Sequence, residues 1–235
     1  SNGNCGECKA RLISGEVKKV RAHDYVQKQA DKDAGMILMC SYAPVNDVVI
    51  EASIEGAHDI PVQQISAKVK SVEIFNPQMA ALHLLTPRSQ RLQYLGGQSI
   101  EVSIGGGHGR YAIASCPCED RNIELQIPHR HGDALAEAVF TALKAGDTVA
   151  LVGPFGEFVL DEDSPRPVIF LAFGVGFAPI KSLVQHAMSL ELAESIDLHW
   201  VADETGHYQD NLCRTWADAL DNFNYLPHAA TGDLD

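Results

Sequence analysis

The hydrophobic period changes twice along the chain, and each change marks a boundary. Between residues 62 and 160 apolar positions recur mostly every second residue. Ile100, Val102 and Ile104 alternate with Glu101 and Ser103, the pattern of a strand with one buried face. Comparable runs at 64–75, 79–85, 110–114, 122–127 and 148–152, punctuated by Gly and Pro, predict a small antiparallel β-barrel. The stretch Gly153-Pro154-Phe155-Gly156 reads as the turn that ends it. One helix interrupts the strands: Asp133 is a candidate N-cap, and Leu135, Ala138, Val139 and Ala142 recur at helical spacing.

Asp161–Pro167, charged and carrying two prolines, reads as a linker, and beyond it the period lengthens. Val168–Phe173 is a continuous apolar run, as expected of a parallel strand covered on both faces. A helix with Ile180, Leu183, Val184 and Ala187 on one stripe follows, then a strand at 196–202. A helix carrying Tyr208, Leu212, Trp216 and Leu220 and a strand near Tyr225 complete a βαβαβ pattern, the start of a doubly wound sheet. Such sheets use about five strands, so this one is expected to be truncated at its C-terminal end. Residues 1–56 differ again, with short strand signals at 11–14 and 47–51 and a polar segment of helical character from His23 to Asp33. Gly56 to Pro61 reads as a linker. The expected architecture is therefore multidomain, α+β and α/β, with domains at 1–56, 62–160 and 165–235.

Composition narrows the function classes. The chain is 46% apolar and 21% charged, in the range of soluble globular proteins. A formal charge of −13 argues against a nucleic-acid partner and against an anionic membrane surface. No apolar run approaches the roughly 20 residues of a membrane span, and no signal-peptide pattern is present. The six Cys, three of them in one local pattern, point to metal ligation in a reducing compartment, with the cytoplasm expected.

Three constellations carry candidate chemistry. Cys5-Gly6-Glu7-Cys8, answered by Cys40, places thiolates on a Gly-containing loop where they can converge on iron. A structural zinc site, with His23 or His58 as a further ligand, is the alternative. The second constellation is Gly174-Val175-Gly176-Phe177-Ala178-Pro179, between an apolar strand and an amphipathic helix. Glycines allow close approach of a pyrophosphate and the helix N-terminus offers N–H groups, while Pro179 suits a first turn. At the end of the next strand Asp203 and Glu204 suit a ribose hydroxyl and repel a 2′-phosphate, favouring NADH over NADPH. The third is Gly109-Arg110-Tyr111-Ala112-Ile113-Ala114-Ser115 in a barrel strand, where an aromatic ring can stack on a planar cofactor and an Arg can pair with phosphate. The remaining Cys116, Cys118 and Cys213 read as inert packed thiols.

In this order the motifs resemble the reductase components of bacterial multicomponent oxygenases, within the ferredoxin–NADP reductase superfamily. Gly97-Gln98 and Gly153-Pro154-Phe155-Gly156 add to the resemblance, which spans nearly the whole chain. It implies a plant-type ferredoxin domain of partial β-grasp fold with Cys5, Cys8 and Cys40 as 2Fe–2S ligands, the first ligand position falling just before Ser1. It implies a flavin, FAD with FMN as the alternative, held by Arg110, Tyr111, Ala112, Ser115, His129 and Gly132. It implies NADH at Gly174, Gly176, Pro179 and Asp203, and an electron-accepting protein such as an oxygenase component. The chain departs from the family's R-x-Y-S signature: Gly109 stands at the Arg place and Ala112 at the Ser place. Arg110 can replace the missing Arg only if a bulge re-aims it, since a one-residue shift turns a side chain to the other face. In the family's G-x-x-S/T turn Gly132 is kept, Leu135 replaces the hydroxyl and Asp133 adds negative charge. A flavin reductase with a vestigial cluster and a non-enzymatic Cys-ligated carrier are the competing readings.

Overall fold

A computed structural model describes residues 8–23, 25–52, 60–119, 121–162, 164 and 166–229. They fall into two units, residues 8–52 with 87–91, and residues 60–86 with 92–229.

The first unit contains β1 (Lys9–Ser14), β2 (Val17–Lys19), α1 (Gln29–Asp33), β3 (Met36–Leu38), β4 (Tyr42–Pro44) and β5 (Val49–Glu51). β1 is the middle strand of an antiparallel sheet in the order β3-β1-β5, and β2 pairs with β4. Ala10 and Leu38 are fully buried. Gly15, at the end of β1, has a φ of 92°, and a Cβ there would lie 2.3 Å from the Asp47 carbonyl oxygen. Only glycine fits that turn. The polar segment expected to be helical from His23 yields just Gln29–Asp33, with no buried residue. Lacking an apolar stripe to bury, it has little to hold more than one turn together.

The second unit opens with the barrel: β6 (Gln63–Asn76), β7 (Met79–Leu85), β8 (Ser99–Ile104), β9 (Gly107–Ala112), β10 (Asn122–Pro128), α2 (Ala134–Thr141) and β11 (Thr148–Phe155). The six strands run in the order β10-β7-β6-β11-β8-β9. The two ends of this sheet meet: Ile113, just past β9, bridges to Leu125 of β10, and the Ala114 N–H donates to the Glu124 carbonyl at 2.8 Å. Curling the sheet onto itself covers its edges. Its interior holds Ile65, Leu82, Leu84, Ile100, Val102, Ile113, Leu125 and Val149, the inward set that the period of two predicts. The expected helix is present, with the Asp133 carboxylate accepting from the Leu135 and Ala136 N–H groups. A Cβ on Gly107 would come 2.6 Å from the Leu135 nitrogen, so α2 rests directly on the β9 backbone. The expected turn at Gly153–Gly156 is instead the continuation of β11 to Phe155; a register irregularity between Val152 and Phe155 against β8 absorbs the Gly-Pro pair.

The rest of this unit is β12 (Val168–Phe173), a 3₁₀ turn at Gly174–Gly176, α3 (Phe177–Leu190), β13 (Ile196–Val201), α4 (Asp210–Ala219) and β14 (Phe223–His228). The strands are parallel in the order β12-β13-β14. One expectation changes. Among the described residues Val168–Phe173 is covered on one face: Phe170 and Ala172 pack with Ile180, Leu183, Val184 and Ala187 of α3, while Ile169, Leu171 and Phe173 are 62–67% exposed. Among the described residues both helices lie against the same face, and a continuous apolar run alone does not say how many faces are covered.

Candidate functional site

The glycine turn and the acidic strand end, distant in sequence, meet in space. Gly174 has a φ of 47°, and a Cβ on it would fall 1.7 Å from the Asp203 Oδ2. The glycine is thus required twice, by the left-handed backbone and by the carboxylate lying against it. Asp203 Oδ1 accepts from the Thr205 N–H at 2.8 Å and from the Thr205 hydroxyl at 2.5 Å, which fixes the side chain. Beneath the turn, Trp200 Nε1 donates to the Gly174 carbonyl at 3.1 Å, and the Trp200 ring stacks on Phe177 at 3.9 Å between centroids. Nothing lies within 4 Å of the Cβ direction of Gly176. Pro179 occupies the third helical position of α3, inside the first turn. The backbone N–H groups of the helix start, an open glycine and one immobilised carboxylate therefore share one place, an arrangement suited to a nucleotide diphosphate and a ribose.

The barrel constellation is built differently from its sequence expectation. The β8–β9 ladder runs without a shift from Ser99↔Ala112 to Ile104↔Gly107. Gly105 and Gly106, whose φ values are 56° and 89°, make the hairpin turn rather than a bulge. Arg110 therefore stands on the face opposite Gly109 and Tyr111. It pairs with Glu101 at 2.7 Å across the ladder and lies over the Phe155 ring at 4.2 Å. Tyr111 folds back over Gly109, where a Cβ would approach its ring carbon Cε2 to 2.8 Å. Its hydroxyl donates to Asp133 Oδ2 at 3.2 Å, and burial, helped by the Asp133 charge, pushes the phenol up to about 12. Asp133 Oδ1 meanwhile accepts from the Leu135 and Ala136 N–H groups at 2.9 and 3.1 Å. Gly132, with a φ of 82°, leads into this cap. Ala112 is half-buried at the end of β9. Ser115 is buried; its hydroxyl lies 3.0 Å from the Tyr94 hydroxyl and accepts from the Glu124 N–H. His129 turns away, with Nδ1 at 3.1 Å from the Pro77 carbonyl and its ring stacked on Phe140.

Periodicity did not disclose the polar seam between the barrel and the parallel sheet. Lys181 of α3 forms an ion pair with Glu124 of β10, their side chains 5% and 12% exposed. Gln126 Nε2 donates to Glu124 Oε1 and, at 2.9 Å, to Gln209 Oε1, while Tyr208 donates to Gln126 Oε1 at 2.7 Å. Asn76 donates to the Thr205 carbonyl, and Ser182 to the Ser115 carbonyl at 2.6 Å. Gly97-Gln98 serves the same assembly: Gln98 donates to the Gly156 carbonyl at 3.0 Å, and a Cβ on Gly97 would meet the Phe158 carbonyl oxygen at 2.0 Å. A lysine beside the apolar stripe, at a position that α3 buries, is the signal the sequence offers, since a buried cation demands a partner.

In the first unit β1 and β3 pair so that the Met39 N–H donates to the Cys8 carbonyl at 2.9 Å. This brings the half-buried Cys8 and Cys40 sulfurs to 3.0 Å. Two thiolates about 2.3 Å from one tetrahedral metal are about 3.8 Å apart, so a shift of under about 1 Å would let both bind one ion. Their chemistry fits iron or zinc. Cys5 and His58 lie outside the described residues. His23 Nδ1 is 2.9 Å from the Tyr25 carbonyl, which occupies one of its two ring nitrogens. Cys213 is a buried thiol pushed up to about 12 by burial, as expected of a packed cysteine. Cys116 and Cys118 differ from that expectation, being joined in a disulfide.

No protein-family profile matches the chain. A CDP-6-deoxy-L-threo-D-glycero-4-hexulose-3-dehydrase reductase of Yersinia pestis is 32% identical over 234 residues, covering 99% of this chain and 70% of that protein. Reductase component 1 of the terephthalate 1,2-dioxygenase of a Comamonas species is 29% identical, over 99% of this chain and 68% of its own length. The chain belongs to the ferredoxin–NAD(P)H reductase superfamily. It is an oxidoreductase of that group. Solved structures agree on the fold: the Amycolatopsis cytochrome P450 reductase GcoB superposes with a TM-score of 0.64 at 23% identity, over 98% of this chain and 72% of that one. Phthalate dioxygenase reductase gives 0.61 at 19%, over 73% of this chain and 53% of that one.

A flavin is the group this superfamily implies in the barrel, and the residues of this reductase fit it in part. The half-buried aromatic ring of Tyr111, held by its bond to Asp133, fits a planar ring system. The start of α2 does not fit a phosphate as it stands, because the Asp133 carboxylate already takes two of its N–H groups and Arg110 faces the other way.

Proposed function

We propose that this reductase takes electrons from NADH at the Gly174–Pro179 turn and delivers them to a 2Fe–2S cluster on Cys5, Cys8 and Cys40. From there they pass to a protein acceptor such as an oxygenase component. A flavin beside Tyr111 would supply the conversion between paired and single electrons, chemistry that belongs to the cofactor. The chain's own residues bind and orient. Gly174, Gly176 and the first turn of α3 receive the dinucleotide pyrophosphate, Asp203 the ribose, and Trp200 with Phe177 holds the turn rigid from below. The acidic Asp203 favours NADH over NADPH by charge. The observation that carries the reading is the convergence of Cys8 and Cys40, since a nucleotide turn alone suits many reductases.

The capped start of α2 favours a second reading, in which flavin is a weakly held, exchangeable ligand and is released after reduction. An absorption spectrum of the purified protein before and after anaerobic NADH separates the two. The proposed path predicts visible cluster absorbance that NADH bleaches and that Cys40→Ser removes, leaving any flavin band in place. An unchanged spectrum in Cys40→Ser would end the cluster assignment.

A further inference from the structure

Cys116 and Cys118 flank Pro117 in the loop between β9 and β10, and their Cα atoms are 5.1 Å apart, in the ordinary range for a disulfide. The two sulfurs are inequivalent. Cys116 is 1% exposed, whereas Cys118 is at the surface. The Cys118 N–H points back to the Cys116 sulfur at 3.1 Å. His186 Nδ1 lies 3.9 Å from the same sulfur, and its Nε2 is 2.8 Å from Glu162 Oε1. The Ser189 hydroxyl is 4.0 Å from it. A buried sulfur ringed by an N–H, an imidazole backed by a carboxylate and a hydroxyl is a sulfur whose thiolate can be stabilised and protonated. An exposed sulfur bonded to it is the one an incoming thiolate reaches.

We propose that Cys116 and Cys118 form a reversible dithiol–disulfide couple that exchanges with an external dithiol, Cys118 being the attacked sulfur and Cys116 the leaving one. One thiolate of the reductant bonds to Cys118 Sγ as the Cys116–Cys118 bond breaks. Cys116 leaves as a thiolate and takes a proton from His186. The second thiolate of the reductant then attacks the mixed disulfide, closes the reductant's own disulfide and releases Cys118 as a thiolate, which takes from water the proton that the reductant's thiol lost on ionising. In sum the reductant gives up two electrons and two protons, and the protein pair gains them.

The couple sits against the seam. The Cys116 carbonyl accepts from Tyr94 at 3.0 Å, and the neighbouring Ser115 carbonyl accepts from Ser182 of α3. The loop that carries the pair is thus the loop on which α3 is seated. The inference is independent of the cluster and of the flavin.

The test follows the tryptic peptide 111–121, which carries both sulfurs. The protein is equilibrated in buffers of reduced and oxidised dithiothreitol, quenched with an alkylating reagent and mapped by mass spectrometry. A single two-electron transition is expected, with both sulfurs alkylated together or neither. In Cys116→Ser, Cys118 should form a mixed disulfide with 5,5′-dithiobis(2-nitrobenzoic acid). In Cys118→Ser, the buried Cys116 should react at least about tenfold more slowly. His186→Gln should slow reduction by roughly tenfold or more, the loss of a positioned acid. Alkylation of both sulfurs at every buffer ratio, or equal reactivity in the two single variants, overturns the couple. An unchanged rate in His186→Gln overturns the proton transfer.

Discussion

Asp133 is the residue whose replacement separates helix stability from phosphate recognition. Its Oδ1 caps α2 through two N–H groups and its Oδ2 holds Tyr111. Serine is about as good an N-cap as aspartate, so Asp133→Ser keeps the helix start while removing the negative charge. The lost Tyr111 bond, to a charged acceptor, costs about 1.5–3 kcal/mol at most. For a phosphate about 5 Å away, a unit charge at an effective dielectric of about 20 is worth about 3 kcal/mol before screening. Salt and exposure reduce that to a gain on the order of tenfold in affinity. The assay is fluorescence titration with riboflavin, FMN and FAD. FMN and FAD should bind about tenfold more tightly to Asp133→Ser than to the parent chain, with riboflavin unchanged. The Tyr111 phenol, raised to about 12 by burial and then by Asp133, should fall part of the way back, as read from ultraviolet titration. Equal changes for riboflavin and FMN, or no change for either, would refute the reasoning, because the carboxylate would then not be standing in the phosphate's place.

Two further predictions rest on the seam and on the glycine turn. Lys181→Met should destabilise the second unit by about 3–5 kcal/mol by stranding the Glu124 carboxylate, while Lys181→Met with Glu124→Leu should recover most of that loss; urea unfolding followed by the fluorescence of Trp200 and Trp216, both in that unit, measures both, and equal destabilisation by the single and double variants would contradict it. Gly174→Ala forces a Cβ 1.7 Å from Asp203 Oδ2 at a φ of 47°, and should cost about 1–2 kcal/mol for the backbone alone. It should also weaken NADH binding in a calorimetric titration, with Asp203→Ala in the same chain relieving the contact but not the backbone cost.

Much of the fold was legible because burial leaves a period in the sequence. Alternation in Ser99–Ile104 and the stripe from Ile180 to Ala187 recur as β8 and α3, and Asp133 caps the helix that its position implied. The candidate site was legible as two groupings: the sequence assigned Gly174 and Asp203 to one nucleotide site and Cys8 and Cys40 to one metal site, although the members of each pair lie 29 and 32 positions apart. Residue identity along the chain determined the elements, the chemistry each segment could offer and the superfamily it resembles. What those groups face was set by how the elements pack. Whether Arg110 could serve a phosphate depended on the β8–β9 register, and a ladder without a bulge turned it to Glu101. Whether Val168–Phe173 was covered on one face or two depended on where the helices packed. The Lys181–Glu124 pair and the Cys116 surroundings join residues 57 and 70 positions apart. A hydrophobic pattern records which side of an element is buried, but a polar partner across a seam is chosen by how the elements pack, and no local period carries that choice.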